Sequence, residues 1–262
     1  MITSVKNPRI RTLRQLRTAK GRREQQLFLL EGTHLLEAAL LNCWPLHSLY
    51  HTSSWAAQHP QLLAALPQTL PVHPVSDSVL TALATTTTPD GVIAIAHHRS
   101  HRDPQIGDVQ LGLALQTLQD PGNVGTILRT AVAVGADALW LTPDSVDPEH
   151  PKLLRASAGQ WFQLIPQVLR DPEDFFATCR QRGVQIVATS AQGSRLYWEV
   201  DWRLPSLILV GNEGSGLGRD WLGVADQIVR IPMEAGVESL NVGISAGLIL
   251  YEAYRQRIYR SP

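Results

Sequence analysis

The chain has 262 residues, 44% of them hydrophobic and 18% charged, with two cysteines and a formal net charge of zero, which excludes a disordered or fibrous protein and supplies core material for one large domain or two modest ones. Cys43 and Cys179 are too far apart for a metal knuckle and too few for a disulfide framework, so ordinary buried thiols in a reducing cytoplasm are expected. No apolar run approaches the roughly 18 residues of a membrane span, and the basic start leads into more charge rather than an apolar leader, which predicts a soluble, unexported protein without a membrane partner.

The first 26 residues hold Lys6, Arg9, Arg11, Arg14, Arg17, Lys20, Arg22 and Arg23 against Glu24 alone, a charge of +7 that the rest of the chain offsets with −7. Such a segment is an electrostatic footprint for a polyanion, because Lys and Arg displace counterions from phosphates. The same residues also fit a solvated helix face, since Ile10, Leu13 and Leu16 recur every three positions and predict one amphipathic helix with a basic outer side. Next come a strand over 27–30, a helix opening at Glu31-Gly32-Thr33, a strand over 47–51, a helix over 55–66, a strand over 71–75, a helix over 77–84 and a strand over 91–96. This alternation predicts a small α/β domain.

The polar stretch 97–104, which ends in proline, reads as a linker and puts a domain boundary near residue 105. Its histidines, His97, His98 and His101, lack a Cys or carboxylate at ligand spacing and read as solvated linker residues, so no metal site is expected. Beyond it the pattern strengthens, with strands over 111–118, 138–141, 162–165, 184–189 and 207–210. Helices are predicted over 124–134, 152–158, 172–182 and 241–257. Right-handed βαβ crossovers then imply a mostly parallel sheet with helices on both faces.

Three glycine-rich clusters fall where strands meet helices, the place where open α/β sheets bind ligands. Gln119-Asp-Pro-Gly-Asn-Val-Gly125 follows the first strong strand; Asn123 is a good helix cap, with Arg129 about one and a half turns beyond it. A cation near a helix N-terminus is unfavourable unless an anion docks beside it. Leu207 to Gly218 is a buried strand emptying into four glycines around one carboxylate, Glu213, with neither a Walker ending nor dinucleotide spacing. Ile231-Pro-Met-Glu-Ala-Gly-Val-Glu-Ser-Leu-Asn241 puts Ser239 and Asn241 at a helix start, where both could be caps, and the helix carries Gly243, Ala246 and Gly247, which invite close packing.

Together these clusters resemble the signature motifs of the SpoU (TrmH) family of RNA ribose 2'-O-methyltransferases, in the SPOUT superfamily. The matching segments are Asn-x-Gly-x-x-x-Arg at 123–129, Gly-Asn-Glu-Gly-x-Gly at 211–216, and Ile-Pro-Met with Glu-Ser-Leu-Asn at 231–241. Lys152-Leu-Leu-Arg-Ala-Ser-Ala-Gly159 is similar to an intermediate segment of the family. The resemblance covers roughly residues 106–257, and Val5-Lys-Asn-Pro8 and Phe28-Leu-Leu-Glu-Gly32 resemble an appended substrate-binding domain. It implies an α/β fold in which residues 106–262 form a parallel-sheet SPOUT domain with a deep trefoil knot, a rare exception to unknotted topology. Residues 1–105 would form a small α/β domain that grips RNA, with Lys6, Arg9, Arg11 and Arg14 as contacts.

The resemblance further implies S-adenosylmethionine as cofactor, a homodimer, and cofactor contacts at Gly211, Ile231, Leu240, Thr189 and Met233. It makes Arg129 the central catalytic residue, with Asn123, Glu213, Ser239 and Asn241 around it. Arginine is often proposed as the base in this family, yet a guanidinium is effectively always protonated. Stabilising a developing alkoxide and docking a phosphate need only its charge. No metal is required for transfer from a sulfonium. Appended domains of this kind suggest ribosomal RNA as substrate, with transfer RNA open. The competing readings are a catalytically silent RNA-binding factor of the same fold and, on glycine-rich turns alone, a nucleotide-binding oxidoreductase.

Overall fold

The structure, a computed structural model, describes residues 1–98 and 106–258. The chain forms two compact units, Met1–His101 with Glu149–Phe162, and Arg102–Pro148 with Gln163–Pro262. The expected boundary near residue 105, and His101 with it, lie outside the described residues.

In the first unit α1 (Pro8–Leu13) starts at a proline in its first turn, capped by the Asn7 side chain. A 3-10 turn (Arg14–Arg17) and α2 (Ala19–Gln25), capped by Thr18, follow. The basic segment is therefore broken rather than one amphipathic helix. Ile10, Leu13 and Leu16 are all buried, and their strict spacing of three suits the three-residue 3-10 turn better than the 3.6-residue α-helix. Then come β1 (Leu27–Glu31), α3 (Thr33–Leu41), β2 (Leu46–His51), α4 (Ser53–Gln58), α5 (Pro60–Ala64), β3 (Val72–Pro74), α6 (Asp77–Leu83) and β4 (Val92–His97). The single helix expected over 55–66 is two because Pro60 has no N–H to continue the first and opens the second.

These strands pair in the order β1-β4-β2-β3, with β4 antiparallel to β1 and β2, and β3 parallel to β2. Ile10, Leu13 and Leu16 cover one face together with Tyr50, Val79, Leu80, Ile93 and Ile95. His97 and His98 are not loose linker residues. His97 closes β4, and His98 Nδ1 lies 2.5 Å from Glu149 Oε1. Cys43, expected to be buried, is exposed at a left-handed turn position, whereas Cys179 is buried and its thiol is pushed up to about 12 by desolvation.

The second unit opens with β5 (Leu111–Leu115), α7 (Pro121–Ala133) and β6 (Ala138–Leu141). The chain then returns to the first unit as α8 (Pro151–Ala156) and a 3-10 turn (Gln160–Phe162), a segment expected to lie in the C-terminal domain. Long-range partners hold it there. Arg155 Nη1 donates to Glu31 Oε2 at 2.7 Å and to Thr85 Oγ1 at 2.9 Å, and Trp161 packs on Phe28 and Trp44 at 5.4 and 5.2 Å between ring centroids. No strand forms over 162–165 for the same reason, since Phe162 finishes that turn and packs on Trp44.

The remaining elements are β7 (Gln167–Val168), α9 (Pro172–Gln181), β8 (Gln185–Thr189), β9 (Arg195–Leu196), β10 (Ser206–Val210), α10 (Arg219–Val224), β11 (Gln227–Arg230) and α11 (Val242–Ile258). All seven strands of this sheet run parallel, in the order β7-β6-β5-β10-β8-β11-β9. Ala114, Ile186, Ala188, Leu207 and Leu209 pack beneath Phe175, Phe176 and Trp221 of α9 and α10. The alternating residues Leu113, Val187 and Ile208 are equally buried, so both faces are covered, as a parallel sheet requires.

Candidate active site

The exit of β5 is pinned before the helix begins. Thr117 adopts a left-handed φ of 57°, its N–H donates to Thr142 Oγ1 at 2.8 Å, and its hydroxyl donates to Asp144 Oδ2 at 2.8 Å. Hydrogen bonds from Thr142 and Thr117 hold the Asp144 carboxyl below its ordinary range. Asp120, not Asn123, caps α7, its Oδ1 accepting from Gly122 N at 2.7 Å and Asn123 N at 3.0 Å. With Pro121 at the first helical position, this start is three residues earlier than the expected cap. Two consequences follow: the Asn123 side chain is released from capping, and Arg129 sits in the third turn, away from the helix N-terminus.

The loop after β10 is drawn against the β5 exit. Asn212 Nδ2 donates to Thr117 O at 2.9 Å, and Gly218 N donates to Gln116 Oε1 at 2.7 Å. Asn212 Oδ1 accepts from Gly214 N and Ser215 N, while the Asn212 and Gly216 backbones exchange hydrogen bonds at 2.9 and 3.1 Å. This folds the chain so tightly that a Cβ on Gly211 would strike the backbone of Gly216 and Leu217. Glycine is thus required there by main-chain approach, and Glu213 is left on the exposed tip.

Asn241 caps α11, its Oδ1 accepting from Gly243 N at 2.9 Å and Ile244 N at 3.3 Å. Its amide Nδ2 donates to Asn123 Oδ1 at 3.0 Å, and Asn123 Nδ2 donates to Glu213 Oε1 at 2.8 Å. One residue from each glycine-rich cluster therefore joins a single chain of hydrogen bonds, Asn241 to Asn123 to Glu213. Ser239, expected beside them, is exposed and makes no side-chain hydrogen bond among the described residues. Arg129 is exposed, and no hydrogen bond or ion pair engages its guanidinium among the described residues.

The packing of α11 on α7 sets the distance between these groups. Thr126 and Thr130 turn their hydroxyls back to Gly122 O and Thr126 O, both at 2.9 Å. Their methyls are presented to Gly243 and Gly247, where an added Cβ would lie 3.4 and 3.9 Å from Thr126 Cγ2 and Thr130 Cγ2. The neighbours of Gly243 and Gly247 are thus threonine methyls at ordinary contact distance rather than the close backbone approach expected of them.

Three of the residues expected to hold the cofactor sit at neighbouring strand ends, and Met233 and Leu240 lie in the loop that leads from β11 to α11. Thr189 ends β8, Gly211 follows β10 and Ile231 follows β11, and β8 lies between β10 and β11. Thr189 Oγ1 donates to Leu209 O at 3.0 Å, which ties β8 to β10 at that edge. Gly211 is buried, and Ile231, Met233 and Leu240 are half-buried. Apolar walls and backbone polar groups beyond the carboxyl ends of parallel strands fit the adenine and apolar chain of S-adenosylmethionine.

In the first unit Lys6, Arg9, Arg11 and Arg14 are exposed, as are Arg17, Lys20 and Arg23. Arg22 alone is turned inward, its Nη1 donating to Leu16 O at 3.0 Å. Sequence reasoning passed over Asp120, Asn212 and the Thr126/Thr130 pair. The Asp-Pro step at 120–121 is a cap signal in its own right; Asn212 had none beyond lying inside a motif.

Comparison with known proteins adds to this geometry. Residues 110–251 match the SpoU rRNA Methylase family, and residues 7–94 match an MRM3-like substrate binding domain. An uncharacterized tRNA/rRNA methyltransferase of Synechocystis sp. is 43% identical over 258 residues, covering 98% of this chain and 94% of its own. The 23S rRNA (guanosine(2553)-2'-O)-methyltransferase RlmP of Bacillus subtilis is 29% identical over 250 residues, covering 95% and 97%. The crystal structure of an AdoMet-bound rRNA methyltransferase from Sinorhizobium meliloti superimposes with a TM-score of 0.85 at 32% identity, covering 97% of both chains.

Proposed function

The chain belongs to the SpoU rRNA methylase family, and on that premise we propose how it works as an RNA 2'-O-ribose methyltransferase using S-adenosylmethionine, with ribosomal RNA as its substrate. The observation that carries the proposal is the chain Asn241–Asn123–Glu213, which draws the three clusters into one site. Arg129 stands on the same helix about 9 Å beyond Asn123 along the axis.

The cofactor supplies an electrophilic methyl group on a sulfonium. Gly211, Ile231, Leu240, Thr189 and Met233 bind and orient it. Arg129 would hold the phosphate beside the target ribose and stabilise the charge on the 2'-oxygen as its proton passes to solvent water at this exposed site, the new O–methyl bond replacing the sulfonium's S–methyl bond and leaving S-adenosylhomocysteine. A free guanidinium supports this electrostatic role better than a role as base. Glu213 fixes the Asn123 amide, Asn123 fixes Asn241, and Ser239 contacts the ribose from the adjoining loop. Lys6, Arg9, Arg11 and Arg14 grip the RNA backbone.

The unit of Arg102–Pro148 with Gln163–Pro262 acts as the methyltransferase part, and that of Met1–His101 with Glu149–Phe162 as the substrate-binding part. The trefoil knot is supported by the bonds from Asn212 and Gly218 to the β5 exit and by the return of α11 onto α7. A homodimer is supported by Ile244, Leu248 and Tyr251, an apolar stripe on α11 exposed by 55, 39 and 54%. Pairing of this stripe with a second copy also brings a neighbour to Arg129 on the adjoining helix. No helix among the described residues is long and apolar enough to cross a membrane, and ribosomal RNA as substrate supports action in the cytoplasm.

The test is transfer of labelled methyl from S-adenosylmethionine into protein-free ribosomal RNA and, separately, transfer RNA, followed by mapping of ribose methylation. Label in ribosomal RNA at a 2'-oxygen is expected. Label confined to transfer RNA would move the substrate, and a folded, cofactor-binding protein that labels neither would be a silent RNA-binding factor.

A further inference from the structure

Three histidines of the first unit meet Arg9 on one face of its sheet, although they are far apart in sequence. Ile93 and Ile95 of β4 point into the core beneath α1, so His97 ends the same row. On β2, Tyr50 points the same way, and strict alternation would send His47 to the opposite face. The pairing of β2 with β4 shifts between Leu46 and Ser48, however, which makes His47 the extra residue of a β-bulge. The bulge turns its ring to His97, with ring centroids 5.4 Å apart. Bulges re-aim side chains in this way beside functional sites.

His73 of β3 lies opposite Tyr50, at 5.1 Å between rings, and Arg9 Nη1 donates to His73 Nε2 at 2.9 Å. Because Arg9 only donates, that nitrogen is an unprotonated acceptor. The charged and titratable groups acting on His47 are His97 and Arg9, and those acting on His73 are Arg9 and His47. Among the described residues no carboxylate balances them. Partial burial, joined by these cationic neighbours, holds both imidazoles below their ordinary range, so they wait neutral around a fixed cation.

We propose that Arg9, His47, His73 and His97 form a cradle for the phosphate backbone of RNA. The inference rests on the RNA substrate proposed above and adds a grip the basic segment alone does not describe. A phosphate supplies the absent counter-charge and so favours the imidazolium forms. Protonated His73 no longer accepts from Arg9, and both groups turn their donors to the phosphate. Binding takes up protons, so affinity rises as pH falls through the histidine range. The free protein moves oppositely: with folded pKa values lowered, its stability falls as pH drops below the unfolded histidine value.

Filter binding of the full chain to protein-free total ribosomal RNA at about pH 6 and about pH 8 tests this. Wild type is expected to bind roughly tenfold tighter at the lower pH, with a steeper salt dependence. The double variant His47→Gln/His73→Gln should lose most of that difference while keeping cofactor affinity. His47→Gln alone, at the exposed bulge, should lose about half of it on a logarithmic scale and guards against misfolding of the double variant. An undiminished pH response in either folded variant, or wild-type binding that is flat with pH, overturns the cradle. Wild type that binds RNA at neither pH overturns the RNA reading itself.

Discussion

Asn123 has two neighbours that hold its amide in one orientation, and its roles can be separated by substitution. Asn123→Ala removes the link between Glu213 and Asn241 and should lower kcat by about tenfold or more with little change in melting temperature. Asn123→Asp sets a carboxylate against Glu213 and should be worse than alanine, because the donated hydrogen bond becomes repulsion between like charges. Steady-state methyl transfer on ribosomal RNA, with thermal unfolding as control, compares them; equal kcat for alanine and wild type would remove Asn123 from the site. Arg129→Ala deletes an exposed side chain with no internal partner among the described residues, so the fold should be untouched. Turnover should drop about 100-fold or more while cofactor affinity by calorimetry stays within about twofold, the pattern of a lost transition-state contact.

Pairs of elements carry a different kind of information. On α11 a Cβ at Gly243 meets Asn241 Oδ1 at 3.1 Å and Thr126 Cγ2 at 3.4 Å, whereas at Gly247 the nearest atom is at 3.9 Å. Gly247→Ala should therefore be neutral or stabilise by about 1 kcal/mol through helix propensity, and Gly243→Ala should destabilise and cut activity by disturbing the cap that holds Asn123. Chemical denaturation of the two variants measures the contrast. The basic segment needs a test that spares its apolar side. Deleting residues 1–26 would strip Ile10, Leu13 and Leu16 from the core of the first unit, so lost RNA binding would report unfolding. Arg9, Arg11 and Arg14 changed together to Gln should instead weaken RNA binding and lower the salt slope by about three while the unit stays folded.

At the scale of the whole molecule, the exposed apolar stripe on α11 is the surface through which the proposed dimer would form. In the proposed dimer, Ile244→Asp with Leu248→Asp puts unpaired charges at the centre of an apolar contact and should leave only monomer in light scattering. If the partner completes the surroundings of Arg129, turnover falls with dimer content. A variant that stays dimeric would place the interface elsewhere, and wild type that is monomeric at micromolar concentration would overturn the dimer. The first unit is built from two separated stretches of chain, and an ion pair between buried Glu31 and half-buried Arg155 joins them.

Local signals were enough for much of this. Short continuous apolar runs marked β5, β8 and β10, and three clusters of glycine with Asn, Glu and Arg at strand ends marked the site, because such residues are needed wherever a chain turns sharply beside a ligand. The clusters also carried the family resemblance. Local signals failed where the deciding partner is distant. The assignment of Glu149–Phe162 to the first unit depends on Glu31, Phe28 and Trp44, more than a hundred residues earlier. The short β9 and β11 exist because neighbouring parallel strands offer them hydrogen bonds, not because their own residues demand extension. The cap at Asp120 was legible in the local Asp-Pro step, whereas the chain from Asn241 to Glu213 was decided by groups that meet only after the sheet has formed. A sequence states what each residue can donate, accept or bury; which partner it finds is a property of the packed chain.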